Sequence, residues 1–292
     1  MTDGFFESYL PMIESRIEEL LPTSGEKYGE AVNAMRYSLL SGGKRIRPIL
    51  LLEFYKLCGG EGDKAQNFAA ALEMVHTYSL IHDDLPCMDN DDMRRGKPSC
   101  HKAYGEDTAL LAGDALLTYA FSAAAATKDL PAERVLKAIS VLAEKAGITG
   151  MIGGQVMDLS FEKTGTDADG LECMYLKKTS CLLEAAAMCG CILAGADDIH
   201  IEYASEYAKK VGLAFQIIDD ILDCTSDEAT LGKPIGSDEK NGKTTYVSLF
   251  GLQKSREKAA ELSAAATEIL GKFDGDSKNL TELTKYLLDR KY

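Results

Sequence analysis

The sequence predicts an all-α fold, and three observations lead to this prediction. Long apolar stretches follow helical spacing, and the stretch 68–82 contains neither Gly nor Pro. No alternation of apolar and polar residues extends far enough to propose a sheet. The chain has 292 residues, of which 46% are hydrophobic, so a sizeable core can form. We therefore expect one domain over residues 1–292, built from ten or more helices.

The helical stretches can be placed along the chain. Residues 68–82 indicate a buried helix that ends near Pro86, because proline cannot continue a helix. Residues 207–224 form a second apolar helical stretch. The glycine- and lysine-rich segment 231–245 is typical of a loop poised to move. Further helices are predicted over residues 1–21, 25–40, 110–126, 175–190 and 246–292.

Charge and cysteine usage argue against several classes of protein. The net charge of −14 disfavours nucleic-acid binding, for which a basic face is expected. Apolar runs are broken by charge or Gly before about 18 residues, so we expect no transmembrane span. The first 21 residues carry acidic side chains, which are wrong for a signal or transit peptide, so we expect a cytoplasmic protein. The cysteines lack zinc spacing, and several are interpreted as small core residues.

Three carboxylates, Asp83, Asp84 and Asp89, directly follow the helix 68–82 in the sequence DDLPCMDNDDMRRG. Carboxylates at the end of a buried helix repel one another and resist desolvation. A hard cation that prefers oxygen ligands, such as Mg²⁺, would relieve both effects. The alternative is a solvated acidic loop, which is what most charge runs are.

A second acidic motif, QIIDDILD, lies within the apolar stretch 207–224. At about 100° per residue, its polar side chains fall within one arc of roughly 100°. These residues are Gln216, Asp219, Asp220 and Asp223. Polar groups on one side of a buried helix are costly unless something binds them. The two motifs together predict carboxylates that face each other across a deep cavity, with cations that bridge to an anionic ligand such as a diphosphate.

Basic residues are concentrated at two places despite the acidic composition. Lys44, Arg45 and Arg47 follow a Gly-rich turn at the start of a helix, where backbone N–H groups and cations make an anion site. The alternative is a basic loop that balances an acidic protein. Arg94 and Arg95 follow the first acidic motif, and paired arginines suit bidentate phosphate recognition.

These motifs resemble those of the trans-isoprenyl diphosphate synthases, and within that family most those of the bacterial-type farnesyl diphosphate synthases. The shared elements are GGKRxRP, DDxxxxD followed by RRG, and DDxxD within FQxxDDxxD, and the resemblance covers nearly the whole chain. It implies the isoprenoid synthase fold, a homodimer, and isopentenyl diphosphate with an allylic diphosphate as substrates. It also implies Mg²⁺, three ions per active site, with Mn²⁺ as a possible substitute.

The resemblance also assigns roles to individual residues. The metal ligands would be Asp83, Asp84, Asp89, Asp219 and Asp223. The residues taken as catalytic would be Asp83, Asp84, Asp89, Lys178, Thr179, Gln216, Asp219 and Asp220. The allylic diphosphate would be held by Arg94, Lys178, Lys233 and Lys243, with Thr179 and Gln216 beside it. Isopentenyl diphosphate would be held by Lys44, Arg47, His76 and Arg95. Arg45 is given no such role and is expected to face solvent.

The product length is predicted from the helix that carries Asp83. Ser79 lies one turn before Asp83, and Tyr78 is the aromatic residue of that turn. In the resembled family an aromatic residue at the position of Tyr78 marks synthases that stop at fifteen carbons, whereas plant-type twenty-carbon synthases tend to have Met there. We therefore expect farnesyl diphosphate as the product, with geranylgeranyl diphosphate as the alternative.

Three other classes of protein compete with this interpretation. A class I terpene cyclase would share the first motif, but its second motif would need a Glu where the chain has Thr230. A non-catalytic regulatory subunit would typically lack motif aspartates, and none is lost here. An all-α calcium-binding or structural protein would have no use for these sets of Arg and Lys residues.

Overall fold

The computed structural model describes residues 2–25, 27–225 and 243–288, and these are almost entirely helical. The first half contains α1 (Thr2–Leu20), α2 (Gly29–Leu39), α3 (Ile46–Leu57), α4 (Gln66–Asp83), α5 (Cys100–Tyr104), α6 (Glu106–Ala125) and α7 (Ala132–Ala146). The second half contains α8 (Met151–Thr164), α9 (Ala168–Tyr175), α10 (Cys181–Ala194), α11 (Asp198–Thr225), α12 (Tyr246–Phe250), α13 (Leu252–Leu270) and α14 (Lys278–Leu288). The all-α prediction with ten or more helices is confirmed.

Two local features depart from the helical pattern. Strands β1 (Met93–Arg94) and β2 (Lys97–Pro98) form an antiparallel hairpin, which was not predicted because each strand has only two residues. A π-helical segment, Leu176–Ser180, separates α9 from α10, so the helix predicted over 175–190 is interrupted.

The chain divides into two compact units. Unit 1 comprises Met1–Leu52 and Glu61–Ile139, and unit 2 comprises Glu53–Gly60 and Ser140–Tyr292. The acidic motif that begins at Asp83 belongs to unit 1, and the motif that ends at Asp223 belongs to unit 2. The expectation of one domain around a central cavity remains a prediction.

Unit 1 is organised around α4. Eleven of its 18 residues are buried, which means that it is covered on all sides. It packs mainly along α6, and alanines on both helices allow a close approach. Helix α1 also packs on α4, and the Tyr119 hydroxyl of α6 donates to the Leu20 carbonyl at 2.6 Å. Near the end of α4, Nε2 of His82 lies 3.0 Å from the Leu110 carbonyl of α6, and the last residue of α4 is Asp83.

Unit 2 is organised around α11, the longest described helix, which spans 28 residues. It packs against α10, α13, α14 and the π-helical segment. Tyr207 lies fully buried in this core, and its hydroxyl pairs with that of Thr284 at 2.6 Å. This packing holds the helix that carries Asp219 and Asp223.

Helix α6 has the length and composition of a membrane span. A single such helix is weak evidence, because the core helix of a soluble protein passes the same test. Here α6 packs against α4, α2 and α5 within unit 1. Among the described residues it is the sole candidate, and 39% of the apolar window is buried inside the protein.

Candidate functional site

The first acidic motif begins where α4 ends. Asp83 is the last helical residue, and the backbone N–H of Asp89 donates to the Asp83 carbonyl at 2.9 Å. The chain therefore turns back on itself and brings Asp89 beside Asp83. Asn90 completes the turn with a positive φ of 54°, a conformation that Asn tolerates better than most residues. Asp83 is half-buried and Asp89 is exposed, so both carboxylates lie at an accessible surface.

Asp84 has a different environment from its two neighbours. Its side chain is buried and accepts two hydrogen bonds from Nε of Arg94, at 3.0 and 3.2 Å, and a third from Nη2. Arg94 also reaches Asp91 at 3.2 Å. Burial raises the pKa of the Asp84 carboxyl, and the Arg94 guanidinium offsets part of that rise. In this arrangement Asp84 holds Arg94, the residue predicted to contact the allylic diphosphate.

The hairpin between β1 and β2 orients the two adjacent arginines. Its turn residues, Arg95 and Gly96, both have positive φ, at 53° and 74°, as expected for a tight hairpin turn. Arg95 donates from Nη1 to the Gly42 carbonyl and lies against Gly43. A Cβ at Gly43 would lie 2.9 Å from the Arg95 guanidinium carbon, so a side chain there would displace it. The Gly-rich turn and the RRG sequence are thus in direct contact.

A buried acid, Glu73, lies at the centre of the basic cluster of unit 1. It pairs with Arg45 at 2.8 Å and with Arg95 at 3.7 Å, and its side chain is 2% exposed. Arg45 is itself fully buried and also donates to the Leu39 carbonyl at 2.7 Å. The expectation that Arg45 faces solvent was therefore wrong. Its positive φ of 51° turns the side chain into the core instead of toward water.

Arg47 and His76 lie beside this cluster, and Lys44 is exposed at its edge. Nη1 of Arg47 lies 3.2 Å from Nε2 of His76. Burial and the neighbouring arginines lower the pKa of His76 well below its usual value, so the imidazole is neutral and Nε2 accepts this bond. Burial lowers the pKa of Arg47 to about 10, and Glu73 opposes that effect, so the guanidinium stays charged at neutral pH. Residues predicted to bind isopentenyl diphosphate are therefore brought together.

The two residues predicted to set product length lie on α4. Tyr78 is 5% exposed, and its ring packs edge-on against His82. Its hydroxyl is one of the buried polar atoms without a partner in the described structure. Burial and the Asp83 charge raise the pKa of Tyr78 to about 12. Ser79 is half-buried, and its hydroxyl donates to the His76 carbonyl at 2.8 Å, so it is held by its own helix.

In unit 2, Asp220 anchors neighbouring elements to α11. Its Oδ2 accepts from the Tyr175 hydroxyl and from the Tyr246 backbone N–H, both at 2.7 Å. These bonds connect α11 to the end of α9 and to the start of α12. Asp220 is buried, whereas Asp219 and Asp223 are half-buried. Asp219 and Asp223 are therefore better placed than Asp220 to meet a ligand.

The π-helical segment carries Lys178 and Thr179. Such segments are often found at functional sites, because the wider turn re-aims side chains. The Thr179 hydroxyl donates to Oε1 of Gln216 at 2.6 Å, and Nε2 of Gln216 lies 3.5 Å from Asp219. Helix α8 approaches the π-helical segment closely at Gly154, where a Cβ would lie 2.1 Å from the backbone nitrogen of Lys178. The three predicted residues Thr179, Gln216 and Asp219 thus form one hydrogen-bonded row.

The predicted lysines of unit 2 have acidic partners. Nζ of Lys178 lies 2.5 Å from Asp158, whose carboxylate is buried on α8. Nζ of Lys243 lies 2.8 Å from Glu162 on the same helix. Lys233 lies outside the described residues. Asp158 and Glu162 both lie on α8, so one helix provides the acidic partners of both lysines.

The donor set suits a hard divalent cation. Asp83 and Asp89 in unit 1, and Asp219 and Asp223 in unit 2, offer carboxylate oxygens, which Mg²⁺ prefers. Within the described ranges no three His, Cys, Asp or Glu side chains form a ready metal centre. This is compatible with Mg²⁺, which commonly uses one or two carboxylates together with substrate phosphates and water.

Comparison with known proteins agrees with this combination of fold and site. The family model described as Polyprenyl synthetase matches residues 30–287. A geranylgeranyl diphosphate synthase of Cyanophora paradoxa is 45% identical over 281 residues, which cover 96% of this chain and 93% of that protein. A heterodimeric geranylgeranyl pyrophosphate synthase large subunit of Arabidopsis thaliana is 48% identical over 264 residues, or 88% of this chain and 71% of that protein.

A solved structure extends the comparison to three dimensions. The geranyltransferase of Helicobacter pylori, complexed with magnesium and isoprenyl diphosphate, superimposes with a TM-score of 0.84 at 34% identity. The alignment covers 98% of this chain and 96% of that chain. The fold is therefore that of the isoprenoid synthases. The chain belongs to the polyprenyl synthetase family, the trans-isoprenyl diphosphate synthases, and is a prenyltransferase.

Sequence reasoning missed two acidic side chains that organise the predicted basic residues. Glu73 carries a signal that could have been used, since it lies three residues before His76 and so shares its face of α4. Glu162 pairs with Lys243, which lies 81 positions later in the sequence, and no local pattern marks such a contact. The π-helical segment also had no recognised signal.

Proposed function

We propose that the protein condenses isopentenyl diphosphate with allylic diphosphates and depends on Mg²⁺, with three ions in the active site. The observation that carries this proposal is the cluster of Arg47, His76 and Arg95 around the Gly-rich turn. A ligand-binding protein without catalysis would need no second set of cations, yet Lys178 and Lys243 are held on α8. Homodimer formation is proposed on the resemblance alone, and the cytoplasmic location expected from the sequence stays a prediction.

Separate sets of cations in unit 1 and unit 2 would bind the two substrates. Arg47 and Arg95, with exposed Lys44, would hold the diphosphate of isopentenyl diphosphate by charge-assisted hydrogen bonds. Lys178 and Lys243 would turn from their acidic partners toward the allylic diphosphate. Bound Mg²⁺ would stabilise the negative charge that develops as this diphosphate leaves.

Thr179 and Gln216 would face the allylic cation that remains after ionisation. The Thr179 hydroxyl already donates to Gln216, so its oxygen lone pairs are free to point toward a developing positive charge. Asp84 would keep Arg94 oriented from the opposite side of its guanidinium. No described side chain needs to act as a base in this scheme, because the departed diphosphate can accept the proton.

For the product, the names of the relatives favour geranylgeranyl diphosphate over the farnesyl diphosphate expected from the sequence. Relatives at 45% and 48% identity are named for the twenty-carbon product. We therefore propose that the chain can extend its product to twenty carbons. The farnesyl prediction is not confirmed.

Farnesyl diphosphate remains the second candidate because of one observation. The Tyr78 ring is buried on α4, one to two turns before Asp83, where a growing chain is predicted to run. Overpacking of a fourth isoprene unit against this ring would cost roughly 1–3 kcal/mol and disfavour extension about ten- to a hundredfold.

Product analysis decides between the two candidates. The purified protein would be incubated with isopentenyl diphosphate and each of dimethylallyl, geranyl and farnesyl diphosphate, and the hydrolysed products separated by chromatography. Twenty-carbon products from the wild type support the first candidate, whereas a stop at fifteen carbons supports the second. If no diphosphate is extended, the proposed activity is wrong.

Two variants test whether the Tyr78 ring limits the length of the product. Tyr78→Ala should lengthen the product by at least one unit if the ring limits extension. Phe68→Leu is the matched control, because Phe68 is a fully buried aromatic residue of the same helix, about 15 Å away. Unchanged products from Tyr78→Ala would show that the ring is an ordinary core residue.

A further inference from the structure

The sulfur atoms of two cysteines in unit 2 lie close enough for an oxidant to join them in a disulfide. Sγ of Cys58 lies 3.4 Å from Sγ of Cys191, within hydrogen-bond distance. A disulfide needs a separation of about 2.0 Å, so the sulfurs would have to close by about 1.4 Å. Neither residue belongs to the candidate functional site. We propose that Cys58 and Cys191 form an oxidisable pair, which a hydroperoxide converts into an intramolecular disulfide.

The two thiols differ in accessibility, and this sets the order of the steps. Cys58 is half-buried, whereas Cys191 is fully buried in α10. The hydrogen bond to Cys191 lowers the pKa of Cys58, against the opposite effects of burial and Asp197. The hydrogen bond with Cys58 and then burial raise the pKa of Cys191. Cys58 is therefore the thiol that the oxidant reaches, and Cys191 is the partner that resolves the product.

The chemistry balances with a hydroperoxide as the sole oxidant. The Cys58 thiolate attacks the terminal peroxide oxygen, so that an S–O bond forms, the O–O bond breaks and an alcohol or water leaves. The Cys191 sulfur then attacks the Cys58 sulfur. The S–S bond forms, the S–O bond breaks, and water leaves with the proton of Cys191. Two thiols are oxidised and one peroxide is reduced.

The local backbone allows the small movement that the second step requires. Cys58 directly follows α3 and begins the turn Cys58-Gly59-Gly60. Cys191 lies three residues from the end of α10, within a core of fully buried residues. The shift of about 1.4 Å would therefore occur in the turn and not in α10.

The disulfide would have a definite consequence for unit 2. The segment Glu53–Gly60 is separated in sequence from the rest of unit 2, which begins at Ser140, and it contains Cys58. A bond to Cys191 would join this segment covalently to the rest of the unit. The closed loop would span 133 positions, so the oxidised protein should be more resistant to unfolding than the reduced one.

The experiment uses the full-length purified protein and hydrogen peroxide. After a short exposure, remaining thiols are alkylated under denaturing conditions, and tryptic peptides are analysed by mass spectrometry without reduction. The expected result is a cross-linked peptide that fragmentation assigns to Cys58 and Cys191 and that dithiothreitol cleaves. The midpoint of thermal unfolding should rise by several degrees on oxidation and return on reduction.

Cys58→Ser tests the pair with little risk to folding, because Cys58 is half-buried at a turn. It should lose both the cross-link and the oxidation-dependent rise in midpoint. Cys173→Ser is the matched control, since Cys173 is exposed in unit 2, and it should keep both effects. A cross-link from Cys58 to Cys189, disulfides only between molecules, or an equal rise in Cys58→Ser would each overturn the proposal.

Discussion

At the scale of single residues, the buried charges of unit 1 make a measurable contribution to stability. Glu73 and Arg45 are both almost fully buried and pair at 2.8 Å. Removal of one partner leaves an uncompensated charge in the core, which usually costs about 3–5 kcal/mol. Arg95 and Arg47 remain near Glu73, so the loss should lie at the lower end of this range.

Arg45→Met should therefore lower the free energy of unfolding by about 3 kcal/mol. Chemical denaturation with urea would measure it, and an unchanged m-value would show that two-state unfolding is preserved. Lys44→Met is the matched control, because it removes an exposed cation at the neighbouring position and should change stability by about 0.5 kcal/mol or less. Equal stability of the two variants would contradict the role assigned to Arg45.

His76 predicts a pH dependence of stability with a defined sign. Its pKa is lowered in the folded state, so the unfolded state binds a proton more readily. The stabilisation that results is present above the unfolded pKa of about 6.5 and is lost as the pH falls below it. At pH 5.5 the protonation of His76 in the unfolded state should lower the free energy of unfolding by about 1.4 kcal/mol relative to neutral pH.

The unfolding midpoint measured between pH 7.5 and pH 5.5 tests this expectation. The wild type should lose stability over that range by more than His76→Gln, which has no group to protonate. His200→Gln serves as the control, since the half-buried His200 lies near the start of α11, where it pairs with Asp197. Parallel curves for the wild type and His76→Gln would show that His76 is not the group responsible.

At the scale of secondary-structure elements, the helices were predictable and their interruptions were not. The stretch 68–82 corresponds to α4 and the stretch 207–224 lies within α11, because apolar periodicity over four or more turns is a strong signal. The π-helical segment was missed because its side chains follow no distinct period. The hairpin was missed because two-residue strands are too short to show alternation.

The site residues show the same division between local and distant information. The acidic motifs and the Gly-rich turn are contiguous in sequence, so their chemistry could be read directly. The contacts that hold them are distant, as between Arg45 and Glu73, and no single sequence specifies such pairs. That Asp84 and Asp220 are buried while their neighbours are accessible likewise depends on packing.

The approach of α8 to the π-helical segment gives a prediction at this scale. Gly154→Ala places a methyl group 2.1 Å from the backbone nitrogen of Lys178, so the backbone of α8 or that of the π-helical segment must shift. Overpacking of this kind should destabilise the protein by about 1–3 kcal/mol. Because Lys178 moves with the segment, the Michaelis constant for the allylic diphosphate should rise as well.

Thermal unfolding and steady-state kinetics with varied allylic diphosphate would measure both effects. Gly25→Ala is the control, since nothing lies within 4 Å of a Cβ there. A stable Gly154→Ala variant with unchanged kinetics would mean that the segment is not held by close packing at this glycine.

At the scale of the whole molecule, the net charge of −14 must be reconciled with substrates that are themselves anionic. Several cations belong to the predicted diphosphate sites, whereas the acidic motifs need added metal to become attractive to phosphate. Without metal, the motif carboxylates repel one another. Asp83→Ala and Asp219→Ala should therefore leave stability unchanged or raise it slightly when Mg²⁺ is absent.

Addition of Mg²⁺ with an unreactive thio analogue of the allylic diphosphate should make the wild type more stable than both aspartate variants. A ligand at a hundred times its dissociation constant stabilises the folded state by about 2.7 kcal/mol, which is about 5 °C in midpoint for a chain of this size. The wild type should show this rise and lose it on chelation, whereas Asp83→Ala and Asp219→Ala should show little of it and lose turnover by several orders of magnitude. Glu202→Ala, an exposed change on the same helix as Asp219, should behave like the wild type. A full metal-dependent rise in both aspartate variants would mean that these carboxylates do not hold the metal.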